Sequence, residues 1–335
     1  MKRILFFAFF LSVLLLTLDL KAQRSMEQDP SLNNLVHDPD YITDPSPSLG
    51  SYRQFGNGPT DMILIAGMGF DESIFDDFMQ DNEDRYTMYA VTLAGFGNTA
   101  APEMPAEDES GYSRMAWHNI AVTDIVNLID KEGLDRPVIA GHFLGGVQIA
   151  FELAKNHEGK ISGIVLLGGE PYRYFESQTD PGRGLNPLER AIAIDRYMAP
   201  QWFKTVTKKT WDDNMYLPEQ YAKNESIAKA LWDMSASAPL PVMVRYLCEF
   251  FASDITQYVA EIKTPALVLL PTFNEAILND PDNSYVKGFF LDSWEVVKEK
   301  NPGILFKTIN DSRLFMWKDQ PETTAKAIQE FVKGL

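Results

Sequence analysis

Cysteine and histidine are scarce in this chain of 335 residues, and both shortages limit its chemistry. Because Cys248 is the one cysteine, an internal disulfide is excluded and the core must stabilise the fold. The apolar stretch from Arg245 to Phe251 predicts that this thiol is buried rather than reactive. None of the four histidines follows position 157; they are His37, His118, His142 and His157.

Ligands for metals and nucleotides are equally sparse. His37 has two acidic neighbours, in the run from His37 to Asp40, and one imidazole with two carboxylates is a weak metal motif. The sequence has no dinucleotide fingerprint and no phosphate loop, because Gly95-Phe96-Gly97 reads as a turn and not as the start of a helix. We therefore expect no metal and no cofactor.

Basic residues are outnumbered, with 30 Lys and Arg against 47 Asp and Glu, which gives a net charge of −17. Nucleic acids and anionic lipid surfaces require a basic face, so neither is an expected partner. The ordinary apolar content of 45% excludes a disordered chain. A small-molecule ligand remains compatible with this composition, and no protein partner is indicated.

The first residues have the pattern of an export signal. Lys2 and Arg3 precede an apolar run from Ile4 to Leu16, and the small residue Ala22 follows shortly after. This pattern predicts a secretory signal over residues 1–22, cleaved after Ala22, and a secreted or periplasmic protein without stable membrane insertion. An uncleaved anchor is the alternative. Residues 23–50, rich in Asp, Ser, Asn and Pro, are predicted to form a lead-in arm.

Continuous apolar runs alternate with helical patterns through the rest of the chain. Such runs are typical of strands buried on both faces, so we predict an α/β fold: a mostly parallel sheet with helices on both faces. The predicted helices cover approximately residues 113–133, 144–156, 286–300 and 320–333. The predicted strands are Met62 to Ala66, Tyr86 to Leu93, Pro137 to Ala140, Ile161 to Leu167, Ala266 to Leu270 and Ile304 to Ile309.

A helical block rich in Trp, Met and Tyr interrupts this alternation. We predict that residues 172–260 form a helical cap over the carboxyl edge of the sheet, with helices in Pro187 to Met198, Ile227 to Asp233 and Val242 to Phe251. The core is then built from residues 51–171 and 261–335. Apolar residues of the cap are expected to form its own core, and some to line a pocket beneath it.

The most informative motif lies after the predicted strand Pro137 to Ala140. Gly141 and Gly145 flank position 143 at two residues on either side, which is the spacing of a nucleophile elbow. Glycine is needed there because side chains would collide across the strained turn. Here the sequence resembles the α/β-hydrolase fold family over about residues 50–333. Three further segments resemble its motifs in the right order: Ile65 to Gly69, Leu93 to Gly97 and Arg313 to Glu322.

The residues that this resemblance assigns to catalysis have lost their chemistry. Position 143, where the family has a nucleophile, is Phe143, and the position of the catalytic histidine is Leu314. The acid position corresponds to Asn274, with Glu275 and Glu170 as alternative acids. Since no histidine follows position 157, an alignment error cannot restore the missing base. His142 is expected to pack structurally, and His118 and His157 to be surface or packing residues.

The backbone of an oxyanion hole does not depend on side chains. The resemblance assigns its donors to the N–H groups of Met68 and Leu144, with Phe143 in the pocket floor. Three interpretations follow. The first is an inactive family member that binds a small apolar or ester-like ligand under the cap. The second is an active, esterase-like hydrolase with a non-standard nucleophile. The third is a non-catalytic interaction protein with a closed pocket.

Overall fold

A computed structural model describes residues 49–102, 111–177, 180–215, 218–280 and 285–335. The predicted signal over residues 1–22 and all but the end of the arm over 23–50 lie outside the described residues. Within those ranges, every helix is too short or too polar to cross a bilayer.

The fold is organised around a seven-stranded sheet in the order β1-β3-β2-β4-β5-β6-β7. Strand β1 is antiparallel to β3, and the other neighbours pair in parallel. The strands are β1 (Leu49–Phe55), β2 (Thr60–Ile65), β3 (Tyr86–Leu93), β4 (Val138–His142), β5 (Gly163–Leu167), β6 (Ala266–Leu270) and β7 (Leu305–Thr308). The predicted mostly parallel α/β sheet is confirmed, and β1 is a strand that the prediction missed.

The alternation of side chains along the strands divides the core into two halves. Ile63 and Ile65 of β2 belong to one apolar cluster, whereas Met62 and Leu64 belong to the other. Both faces of the strand are covered, so the residues on neither face can be polar. The strand therefore reads as a continuous apolar run and not as an alternation of apolar and polar residues. This burial is the physical reason why the central strands could be identified from the sequence.

Helices cover both faces of the sheet. Three of the described α-helices precede β5: α1 (Asp76–Asp81), α2 (Ala116–Glu132) and α3 (Phe143–Asn156). Helices α4 to α8 lie between β5 and β6. Those that follow β6 are α9 (Glu275–Asn279), α10 (Tyr285–Phe290), α11 (Glu295–Lys300), α12 (Met316–Asp319) and α13 (Pro321–Val332). The predicted helix over residues 286–300 is divided, because a 3-10 turn, Asp292–Trp294, separates α10 from α11.

A helical insertion connects β5 to β6. It contains α4 (Pro187–Ile192), a π-helical turn (Ala193–Met198), α5 (Ala199–Thr205), α6 (Lys208–Met215), α7 (Glu225–Ser237) and α8 (Leu240–Ala252). Helices α7 and α8 lie against the loops after β2 and β3, since a Cβ at Gly69 would meet Ser235 and one at Gly95 would meet Val242. The insertion therefore reaches the carboxyl ends of these strands, where the elbow also lies.

Cys248 lies inside α8 and is completely buried. Burial is the largest cause that raises the pKa of its thiol, so the reactive thiolate is disfavoured at neutral pH.

Candidate functional site

The turn after β4 has the strained backbone that the glycine spacing predicts. Phe143 adopts a positive φ of 53°, which is rare for a residue with a side chain. A Cβ at Gly141 would lie 2.1 Å from the carbonyl oxygen of Gly146, so this position requires glycine. The elbow thus retains its shape although its central residue is phenylalanine.

The residues after Phe143 depart from a regular helix start. Leu144 has φ −68° and ψ 136°, and Gly145 has φ 87° and ψ −58°, both outside the helical region. The N–H of Gly145 donates to the side-chain Oε1 of Gln148 at 2.7 Å, and the Gln148 amide donates to the carbonyl of Glu170 at 2.8 Å. The side chain of Gln148 therefore stabilises this non-helical turn from inside the core. Sequence reasoning missed this residue.

This turn changes the expected oxyanion hole. The N–H of Met68 donates to the carbonyl oxygen of Leu144 at 2.8 Å. Leu144 therefore supplies an acceptor to Met68 at a place where two donors were expected to converge on a ligand. In this conformation the Met68 donor is engaged within the protein, which differs from the expectation drawn from the sequence.

Aromatic rings surround Phe143. Its ring lies 6.1 Å from that of Phe70 in an edge contact, 6.0 Å from that of Phe290 in a stacked contact, and 6.4 Å from that of Tyr221. Phe143 and Tyr221 remain partly exposed, whereas Phe70 and Phe290 are buried. Phe143, at the expected nucleophile position, is therefore one ring of an aromatic group that joins the sheet to the insertion.

Leu314, at the expected histidine position, is completely buried. Its N–H donates to the carbonyl of Gln220 at 3.0 Å, and the next N–H, of Phe315, donates to the carbonyl of Tyr221 at 2.9 Å. These two bonds attach the insertion directly to the segment that precedes α12. An aliphatic side chain held there cannot accept or donate a proton.

The residues considered for the acid position lie exposed at a helix start or form a buried ion pair. Asn274 and Glu275 are exposed, and the Asn274 Oδ1 accepts the N–H of Ile277 and so caps α9. Glu170 is buried and forms a two-pronged ion pair with Arg173, whose guanidinium lies 3.5 Å from the Phe289 ring centroid. Burial raises the pKa of Glu170, and Arg173 offsets part of that rise.

His142 lies in an aromatic enclosure beside Phe143, whose ring stacks against it at 5.7 Å. Its ring is 4.4 Å from that of Phe315 and 4.9 Å from that of Trp317, and Phe70 and Phe75 lie close by. Among the described residues neither ring nitrogen finds a hydrogen-bond partner. Burial lowers the pKa of His142 from 6.5 to about 3, so the ring is neutral at physiological pH.

His118 is also buried, and it has a specific polar partner. Its Nδ1 lies 2.9 Å from a carboxylate oxygen of Glu249, a residue of α8 that the sequence analysis did not select. No local sequence pattern marks this pair, because 131 positions separate the two residues. His157 is a half-buried residue after α3. Within the described ranges, no group of three or more His, Cys, Asp or Glu residues is placed to hold a metal ion.

Comparison with known proteins identifies a family and several relatives that this chain resembles. Residues 62–327 match the sequence profile of the alpha/beta hydrolase family. A pimeloyl-(acyl-carrier protein) methyl ester esterase of Vibrio campbellii is 26% identical over 161 residues, which cover 45% of this chain and 56% of that protein. The chain thus spans about half the length of the curated relatives that it matches.

Solved structures show the same fold at low sequence identity. The enol-lactonase from Burkholderia xenovorans LB400 is 15% identical with a TM-score of 0.59, covering 84% of this chain and 96% of its own. A hydrolase from Oleispira antarctica is 15% identical with a TM-score of 0.63, covering 86% of this chain and 96% of its own.

Proposed function

The chain belongs to the alpha/beta hydrolase family, and we propose that it is a non-catalytic member. In this proposal it binds a small apolar or ester-like molecule beneath a cap formed by residues 172–260. The observation that carries the proposal is the elbow itself, where Phe143 occupies the nucleophile position and the Met68 N–H is bonded to Leu144.

Loss of catalysis is supported at each step of an acyl transfer. Phe143 has no lone pair with which to attack a carbonyl carbon, and Leu314 cannot take the proton of any replacement nucleophile. An ester carbonyl would in addition have to compete with the Leu144 carbonyl for the Met68 donor. Losing one oxyanion donor alone costs roughly 10²–10³ in rate, so the three changes together remove the machinery of the reaction.

Ligand binding is supported by the aromatic rings that remain partly exposed beside the elbow. Phe143, Tyr221, Tyr285 and Phe289 pack against the apolar cluster on one face of the sheet while keeping part of their surface accessible. Partly exposed aromatic side chains of this kind line small-molecule sites, where apolar area and shape provide most of the binding. An ester-like ligand is proposed because the curated relatives are named as methyl ester esterases.

A closed interaction protein is the second candidate. The bonds from Leu314 to Gln220 and from Phe315 to Tyr221 tie the insertion to the core, which favours a filled interior over an open site. The two candidates differ in one property, because only the first binds a small molecule at Phe143.

Calorimetry with methyl octanoate separates the candidates. We expect saturable binding to the wild-type protein, with no octanoic acid released over the time of the titration. Phe143→Trp should weaken binding at least tenfold, because the larger ring fills the site next to Phe70 and Phe290. The matched control is Phe306→Trp, a half-buried ring on the edge strand β7. Absence of binding to the wild type contradicts the proposal and favours the closed protein, and release of octanoic acid contradicts inactivity.

We also propose that the protein is exported through the signal formed by Lys2, Arg3 and the apolar run to Leu16. Intact mass of the protein recovered from the host that makes it should match a chain that starts at Gln23. A recovered chain that retains residues 1–22 contradicts cleavage.

A further inference from the structure

The most unusual polar group outside the expected catalytic positions is the pair formed by His118 on α2 and Glu249 on α8. Both side chains are almost completely buried, at 1% and 0% exposure. The Glu249 carboxylate accepts hydrogen bonds from the backbone N–H groups of Trp117 and His118 and from the guanidinium of Arg245 at 2.6 Å. These three hydrogen bonds fix the position of the carboxylate independently of its contact with the imidazole.

The partners of Glu249 determine that the Nδ1 of the imidazole carries a proton. Burial alone raises the pKa of Glu249, but the charge of Arg245 and the donors of His118 outweigh that effect, so the pKa is lowered and the group is ionised. An ionised carboxylate only accepts hydrogen bonds, and therefore the Nδ1 of His118 must carry a proton. In the neutral ring, Nε2 is then left with a lone pair that accepts hydrogen bonds.

That second nitrogen faces the elbow. Nε2 of His118 is buried and has no hydrogen-bond partner in the part of the chain that the structure describes. A Cβ placed on Gly145 would lie 3.9 Å from this nitrogen, 3.8 Å from the Met68 amide nitrogen and 3.4 Å from Leu93, all ordinary contact distances. Because Gly145 has no side chain, nothing projects from this residue toward the Nε2 of His118 or toward the Met68 amide.

We propose that His118 and Glu249 form a hydroxyl-binding dyad at the elbow, in which Nε2 of His118 accepts a hydrogen bond from an O–H group next to Gly145. A lone buried acceptor is costly when it is left unpaired, and an O–H donor is the smallest group that pairs it. The hydroxyl comes from a single water or from the alcohol of a ligand. Only the second source rests on the proposed ligand function.

The dyad also gives the interior a hydrogen-bond acceptor that is independent of positions 143 and 314. His118 touches the hydroxyl, and Glu249 acts as a positioning residue that fixes its tautomer. Arg245 holds Glu249 in turn, through the i to i+4 spacing on α8. The three residues connect the insertion to α2 and place one hydrogen-bond acceptor beside the turn that follows Phe143.

Nitrogen-15 NMR of histidine-labelled protein at pH 7.5 tests the dyad. We expect His118 to show a protonated Nδ1 and an Nε2 with the lone-pair signature, shifted by an accepted hydrogen bond. With water as the donor, the ring protons of His118 should show cross-relaxation to a long-lived water. His118→Gln assigns the signal and His157→Gln is the matched control. If His118→Gln does not fold, substitution of the other three histidines assigns it by elimination.

Two probes of similar shape distinguish the sources of the hydroxyl. With a ligand alcohol as the donor, benzyl alcohol should move the Nε2 resonance and bind about three- to tenfold more tightly than toluene, the effect of one neutral hydrogen bond. Binding of neither probe contradicts the proposed ligand site but leaves the water-bound dyad standing. A protonated Nε2 overturns the inference, as does a lone-pair Nε2 that shows no bound water and no response to benzyl alcohol.

Discussion

The buried His142 makes the stability of the protein sensitive to mild acid. Its ring is fully buried among Phe70, Phe75, Phe315 and Trp317, and burial lowers its pKa from 6.5 to about 3. In the unfolded chain the same imidazole binds a proton near its ordinary pKa. We predict that His142→Leu, an apolar side chain of similar size, removes this sensitivity and leaves the fold intact at neutral pH.

The magnitude follows from the difference between the two pKa values. The folded pKa lies below the unfolded one, so the contribution of His142 is fully present above pH 6.5 and is lost as the pH falls toward 3. Between pH 7.5 and pH 5 the unfolded state gains a proton that the folded state does not bind, which lowers the free energy of unfolding by about 2 kcal/mol. Between the same two pH values, the free energy of unfolding of His142→Leu should therefore fall by about 2 kcal/mol less than that of the wild type. At pH 7.5 it should be at least as stable as the wild type, because two unpaired ring nitrogens are removed.

Urea unfolding at pH 7.5 and pH 5 measures both quantities. His157→Gln is the matched control, since His157 is only half-buried and lies outside the aromatic enclosure of His142. We expect this control to retain most of the acid sensitivity of the wild type. The reasoning is refuted if His142→Leu loses as much free energy of unfolding between the two pH values as the wild type does.

Three further predictions concern the elbow and its supports. Phe143→Ser should not raise hydrolysis of p-nitrophenyl acetate above the wild-type rate, because Leu314 supplies no base; a large rate would show that another residue does. Gln148→Leu should lower the free energy of unfolding by about 2–4 kcal/mol, because it strands two buried backbone groups, and an unchanged urea midpoint would contradict this role. Arg245→Met should cost about 3–5 kcal/mol in the same assay, because it leaves the buried Glu249 carboxylate without its cationic partner; an unchanged urea midpoint would contradict the ion-pair account.

The central strands were predictable because burial on both faces forces continuous apolar runs. Strand β1 was not, because its residues are half-buried or exposed and carry no such run. The elbow could be located from Gly141 and Gly145 alone, since each glycine meets a local requirement of the turn. A Cβ at Gly141 would collide with the carbonyl of Gly146, and Gly145 adopts a positive φ of 87°.

The finer geometry of the site depends on contacts that sequence patterns do not encode. The non-helical dihedrals of Leu144 arise where the amide of Gln148 binds the N–H of Gly145, a choice made by one side chain inside the core. The pairing of His118 with Glu249 depends on how α8 packs against α2. An apolar pattern predicts that both helices are buried but not which of their polar residues meet.

Labelling with a fluorophosphonate, read by intact mass, tests the loss of catalysis most directly. The probe reacts with activated serines whatever their substrate, and the protein should be used from Gln23 onward beside a working serine hydrolase. The account predicts no adduct on the wild-type protein under conditions that label the control completely. A stoichiometric adduct would contradict it, and peptide mapping would then identify the serine that acts in place of Phe143.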